Sequence, residues 1–132
     1  MAAEVTEAGS RAADRTFCRE VLPRVSRTFA ICIRLLPPEL DHAVLIAYLL
    51  CRVADTVEDS LRLDAENKER LLRHFSACLE PEGPEAHPLR AAFPSPGDDE
   101  ERLAHEADIV LREFRRLPSP QQDAIRPWVQ EM

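Results

Sequence analysis

Ala43-Val44-Leu45-Ile46-Ala47-Tyr48-Leu49-Leu50 is apolar around the whole circumference of a helix, and only Cys51 extends it before Arg52 breaks it. A helix that is hydrophobic on every side must be surrounded by other elements, so this run predicts the central helix of an all-α protein. It is far shorter than the roughly 20 residues that a membrane-spanning helix needs. Pro37-Pro38 ends whatever precedes it and pre-sets the first turn of the next helix. The pattern therefore predicts one helix from about Pro38 to Ser60.

Working outward, Ala13, Phe17, Val21 and Leu22 give helical spacing from about Arg11 to Leu22, after a polar stretch that reads as a loose tail over residues 1–10. Pro23 is expected to interrupt that helix, and Val25, Phe29, Ile33 and Leu36 define a second one over 24–36. On the far side, Asp64 is a plausible N-cap for a helix from Ala65 to about Glu80, with Leu71, Leu72, Phe75 and Leu79 inside. Five of the 11 prolines and two of the three glycines then fall in 81–97, which predicts an irregular loop without its own core. A fifth helix should run from Asp98 to Leu117, its acidic opening complementing the positive helix N-terminus. Ser119-Pro120-Gln121-Gln122 reads as an N-cap, an N1 proline and a capping-box Gln. It starts a sixth helix, kinked at Pro127, inside which the chain stops at Met132. That stop reads as the end of a fragment.

The 132 residues allow one domain at most. With 5% aromatics and abundant Leu, Ala, Arg and Glu, the composition leans away from a β-sandwich or barrel. Asp plus Glu outnumber Lys plus Arg by 24 to 17, for a formal charge of -7. That balance excludes a general nucleic-acid binder, which needs a positive field for phosphate backbones. It still allows a local cationic pocket for a small anion. Cys18, Cys32, Cys51 and Cys78 show no CxxC or metal-finger spacing. Residues 1–10 lack the apolar segment of a signal peptide. Buried free thiols in a cytoplasmic protein are the expectation.

Chemistry concentrates in Asp55-Thr56-Val57-Glu58-Asp59. Positions i, i+3 and i+4 share a helix face, so three carboxylates lie together just after the most apolar stretch of the chain. Such a group is costly near a core unless a cation neutralises it, and Mg²⁺ suits the role because it bridges carboxylates to substrate phosphates. A solvated helix end, with Arg52 and Arg62 pairing the acids, would produce the same pattern. Tyr48 and Arg52 fall on nearly the same stripe. A second cluster, Ser26-Arg27-Thr28-Phe29, offers a planar guanidinium with hydroxyl donors, which suits a diphosphate. The plain alternative is a surface arginine beside a core phenylalanine. His42, His74, His87 and His105 have no metal-type spacing, and Trp128 reads as a core or interface side chain.

Taken together, Ser26-Arg27-Thr28-Phe29, Leu36-Pro37-Pro38-Glu39 and the stretch from Ala47 through Asp59 resemble the squalene/phytoene synthases of isoprenoid metabolism. The order and distances match the N-terminal region of that family, with looser similarity to Met132. The resemblance implies a partial isoprenoid-synthase-type bundle of about six helices. It implies that Asp55, Glu58 and Asp59 form the first aspartate-rich motif, holding Mg²⁺ on a prenyl diphosphate. Ser26 and Arg27 would grip the diphosphate, Phe29 would lie near the prenyl chain, and Tyr48 and Arg52 would be catalytic residues lining the pocket.

Enzymes of the family condense two prenyl diphosphates head to head, through a cyclopropyl diphosphate. Squalene synthases then reduce the product with NADPH, whereas phytoene synthases use geranylgeranyl diphosphate and do not reduce. The D-x-x-E-D form given by Glu58 is associated more with squalene synthases, which implies farnesyl diphosphate. The family's second aspartate-rich motif has no counterpart among these residues, so the chain is expected to be inactive alone. A non-catalytic helical module derived from the family is the alternative. If helices are missing, Val44, Leu45 and Leu49 should leave an uncovered apolar face through which the chain self-associates. A peripheral membrane association in a longer enzyme would also be compatible.

Overall fold

In a computed structural model, which describes the backbone of residues 2–131 and the side chains of 9–131, the described residues form helices and no strand. The helices are α1 (Ala2–Val25), α2 (Arg27–Arg34), α3 (Pro38–Asp59), α4 (Ala65–Cys78), α5 (His87–Ala92), α6 (Asp99–His105), α7 (Ala107–Arg116) and α8 (Ser119–Gln130). The all-α expectation holds. α3 is the hub, packed against α1, α2, α4, α6, α7 and α8. It runs unbroken and buries Ala43, Leu45, Ile46, Leu49, Leu50, Val53, Ala54 and Val57. Each large aliphatic side chain so buried contributes about 1.5–3 kcal/mol, which makes this one helix the main source of cohesion.

Of the three side chains expected to leave α3 uncovered, Val44 is half-buried and the other two are internal. Leu45 is 2% exposed and Leu49 is 0% exposed, inside a helix packed on several sides. The large apolar side chains that do face outward are Phe29, Ile31, Leu35, Leu40, Leu61 and Trp128, most of them on or beside α2.

Several boundaries also differ from the sequence reading. α1 begins at Ala2, where a loose tail was the expectation, and it continues through Pro23 to Val25. Residue 1 and the terminal Met132 lie outside the described residues. The Pro-rich segment contains α5, and Ala86, Leu89 and Phe93 all enter the core with no exposed surface. The expected fifth helix is two, broken at Glu106. α8 starts after Pro118 without a side-chain cap. Gln122 instead reaches back, its Nε2 donating to the carbonyls of Leu117 at 2.7 Å and Arg115 at 3.1 Å.

Long polar side chains finish what local capping leaves undone. The last turn of α4 has carbonyls with no helical donor. Arg126 Nε donates to Leu79 O at 2.7 Å, and Gln130 Nε2 to Ser76 O at 3.0 Å. Arg115 Nη2 donates to Cys78 O and Pro84 O, both at 3.0 Å. Gly83 lies so close to this turn that a Cβ there would collide with the Ala77 carbonyl oxygen. α1 and α7 are clamped by Asp14, which accepts from Arg112 Nε and Nη2 and from Arg116 Nη1, each at 2.9 Å. Burial pushes the Asp14 carboxyl up, but the hydrogen bonds and charges of Arg112 and Arg116 outweigh it and hold the carboxyl below its ordinary range.

Beside this clamp, burial and the nearby Arg15 and Arg19 charges depress the His42 imidazole to about 4. The folded state therefore prefers neutral His42, while the unfolded chain takes up a proton below about 6.5. Stability should be lost as pH falls from about 6.5 towards 4. Glu113 opposes this, since burial and the Asp14 charge raise its carboxyl and it gains a proton more readily when folded. A net loss of roughly 1–2 kcal/mol is expected between pH 7 and pH 4.5. Urea unfolding should show a shallower slope in His42→Gln; an unchanged slope would remove His42 from the account.

Candidate functional site

Two turns of α3 supply one wall of a cleft of about 380 Å³, and the first turn of α6 supplies the other. Arg52, Asp55, Thr56 and Asp59 line it from α3, and Asp98, Glu100 and Glu101 line it from the start of α6. The face of α3 opposite the acids is fixed by buried Val53, Ala54 and Val57, so Asp55 and Asp59 point away from the core one turn apart. The walls are joined by two ion pairs. Arg52 Nη2 lies 3.3 Å from Glu100 Oε1, and Arg62 Nη2 lies 3.4 Å from Glu101 Oε1. Asp98 caps α6 by accepting from Glu101 N at 2.8 Å, while Gly97 N donates to Glu101 Oε1 at 3.0 Å. Thr56 Oγ1 donates to Arg52 O at 2.8 Å and so turns its hydroxyl back onto the helix.

One donor is left over. Arg52 Nε is buried and has no acceptor among the described residues. A buried unpaired donor costs about 1–3 kcal/mol. The donor set also fits Mg²⁺, which takes one or two carboxylates and completes its octahedron with waters and phosphate oxygens. Asp55 and Asp59 are such a pair. Glu58 stands apart: it is exposed and does not line the cleft, and its carbonyl accepts from Lys68 Nζ at 2.7 Å. Among the described residues no group of three or more metal-type side chains converges. The arrangement therefore offers two carboxylates with room for substrate oxygens, not a closed protein cage.

Ser26 and Arg27 sit at the start of α2, outside this cleft. Ser26 is the N-cap, its Oγ accepting from Phe29 N at 3.2 Å, which leaves the hydroxyl proton free to donate. Arg27 is exposed, with no ion pair to a described residue. Phe29 and Tyr48 come together: their rings stack at 4.4 Å between centroids and 21° between planes. That stack joins α2 to α3 one helical turn before Arg52.

The Glu100–Arg52 and Glu101–Arg62 bridges are what sequence reasoning missed, since it took the acidic run only as a favourable helix opening. Their partners are 48 and 39 residues away, and local spacing carries no signal over that distance. The cysteines also divide. Cys18 and Cys78 are buried, whereas Cys32 is exposed and Cys51 half-buried, against the expectation that all four are internal. Burial pushes the Cys18 thiol up to about 12 and the Cys78 thiol up to about 11, and burial with the Asp55 charge raises Cys51, so none of these three is a ready nucleophile. No helix in the described residues is long and apolar enough to cross a membrane.

Comparison with known proteins finds a match to the squalene/phytoene synthase family over residues 22–132. A squalene synthase of Yarrowia lipolytica is 33% identical over 108 residues, 82% of this chain and 23% of that protein. One from Schizosaccharomyces pombe is 33% identical over 115 residues, 87% of this chain and 24% of that protein. A Botryococcus braunii squalene synthase is 52% identical over 62 residues, 47% of this chain and 13% of its own. The chain spans about a quarter of the length of the first two relatives.

Proposed function

This chain belongs to the squalene/phytoene synthase family, and from that premise we propose that it supplies the metal–diphosphate half of a head-to-head prenyltransferase site. The substrate in this reading is farnesyl diphosphate, and the product lies towards presqualene diphosphate and squalene. The observation that carries it is the pairing of Asp55 and Asp59 in one cleft beside a buried arginine nitrogen that lacks an acceptor. Two carboxylates that would hold a cation, with a guanidinium donor alongside, suit the inner surface of a diphosphate site.

Each residue has a task in this reading. Asp55 and Asp59 hold Mg²⁺, which when bound withdraws charge from the leaving diphosphate. Arg52, anchored by Glu100, brings its guanidinium to the cleft for a phosphoryl oxygen. Ser26 and Arg27 add a hydroxyl and a fork of guanidinium donors at the N-terminus of α2, where the helix already favours an anion. The Phe29–Tyr48 stack gives the prenyl chain an apolar, electron-rich wall that excludes water from a developing allylic cation. Glu58 contributes charge from outside the cleft. NADPH would enter only if the complete enzyme reduces its product. The second aspartate-rich motif that the family resemblance implies has no counterpart in the residues given, so in this reading the chain alone binds Mg²⁺-diphosphate weakly and turns nothing over.

Calorimetric titration of farnesyl diphosphate with and without Mg²⁺ tests the half-site on the chain itself. Binding that requires Mg²⁺ and weakens at least about tenfold in Asp55→Asn is the expected result. Mg²⁺-independent binding, or none at millimolar ligand, would overturn the assignment. Geranylgeranyl diphosphate in parallel distinguishes the phytoene-type alternative.

A further inference from the structure

We propose that the cavity between α1, α3 and α7 is a second anion site, separate from the acidic cleft, built for a single phosphoryl- or sulfate-type group. The cavity is about 260 Å³, lined by Arg11, Arg15, His42, Glu113 and Arg116 with Ala12 and Leu117. Small-molecule pockets usually run from about 300 to 1,000 Å³, so this one suits a small ion or the head of a larger ester. In a chain of formal charge -7, its lining gathers three guanidiniums and one carboxylate, with a second carboxylate, Asp14, behind Arg116.

The arginines are placed for a ligand. Arg11 and Arg15 are four residues apart on one face of α1, where like charges repel. Neither has an ion pair to a described carboxylate. Arg116 approaches from α7 and is already fixed, with Nη1 2.9 Å from Asp14 Oδ2 and 3.7 Å from Glu113 Oε2. An anion between α1 and α7 would relieve the repulsion and find one guanidinium preorganised, which lowers the ordering cost of binding.

His42 supplies the independent observation. Its side chain is 13% exposed, its Nε2 lies 3.8 Å from Glu113 Oε2, and its Nδ1 is buried with no partner among the described residues. Arg15 and Arg19 on α1, Asp41 on α3, and Glu113 and Arg116 on α7 are the charged groups around it. Burial and the arginines keep it neutral. A bound oxyanion reverses that balance, because a nearby negative charge favours the imidazolium. Glu113 does not block the site, since Arg116 and His42 already face its carboxylate and burial favours its neutral form. Anion binding should therefore be accompanied by proton uptake.

The probe is sulfate, a dianion across the working pH range, titrated against chloride at constant ionic strength and read at the His42 imidazole by proton NMR. Saturable binding that raises the His42 titration midpoint by at least about one pH unit is expected, with inorganic phosphate behaving alike. Arg15→Gln and Arg11→Gln are exposed changes on α1, and each should weaken sulfate at least about tenfold while circular dichroism stays unchanged. Asp59→Asn should leave sulfate binding intact, which separates this site from the acidic cleft. A non-saturable response, an equal response to chloride, or unchanged binding in both arginine variants would overturn the proposal. Co-sedimentation with phosphatidic acid vesicles but not phosphatidylcholine vesicles, lost in Arg15→Gln, would uphold the site and assign it to a lipid headgroup. Saturable sulfate binding without sedimentation would uphold it and assign a soluble anion.

Discussion

Asp55→Asn and Asp59→Asn should each lower turnover at least about 100-fold in an enzyme of full family length that carries this segment. The substitution keeps the size and helical geometry of each side chain and removes only the charge that binds the metal. Both residues point away from the core, so the fold has no reason to suffer. The repulsion between like charges at i and i+4 is even relieved. A loss of activity with intact stability is therefore the signature of a ligand. A solvated helix end would leave activity as well as stability intact.

Glu58→Gln is the internal control. It sits on the same helix and in the same acidic motif but outside the cleft, and its effect should be several-fold smaller. Arg27→Lys should be damaging, because a point charge cannot reproduce a planar fork of donors. Product formation from radiolabelled farnesyl diphosphate across a Mg²⁺ titration reads all four variants. Wild-type turnover and wild-type Mg²⁺ dependence in both aspartate variants would remove the acidic stripe from the mechanism.

What could be read in the sequence was whatever local spacing controls. The circumferential apolar run at 43–50 announced a buried helix, and α3 is that helix. The carboxylates at 55 and 59 had to share a face once the helix was granted. Everything the sequence left hidden depends on contacts between distant segments. Leu45 and Leu49 looked uncovered because α3 packs against helices as distant in sequence as α6, α7 and α8. Arg52 looked like a partner for the acids beside it, yet it pairs with Glu100. Pro23 looked like a helix stop, but α1 continues through it to Val25. The exposed row on α2 was invisible for the opposite reason: Phe29 and Ile33 read as one inner face, and only Ile33 is buried.

Phe93→Ala is expected to cost about 3–5 kcal/mol of folding stability, a large share of what a domain of this size possesses. Phe93 lies among prolines, in Ala92-Phe93-Pro94-Ser95-Pro96, where composition signals a solvated loop. Its side chain nevertheless has no exposed surface, and α5 exists because Leu89 and Phe93 can be buried together against α6. The carbonyl of Phe93 is engaged as well, 2.6 Å from His105 Nδ1 on α6. Truncation would leave an aromatic-sized void that the proline-stiffened backbone cannot close, so little of the cavity cost should be recovered by relaxation. α6 also carries Glu100 and Glu101, the outer wall of the acidic cleft. Loosening α5 should therefore loosen the Arg52 anchor and weaken Mg²⁺-diphosphate binding in parallel. Leu61→Ala provides the contrast, since Leu61 is 101% exposed and should change stability by less than about 0.5 kcal/mol. Urea unfolding of the two variants decides the matter. Equal small losses would mean that the proline-rich segment is the coreless loop its composition suggests, and the outer wall of the site would have lost its support.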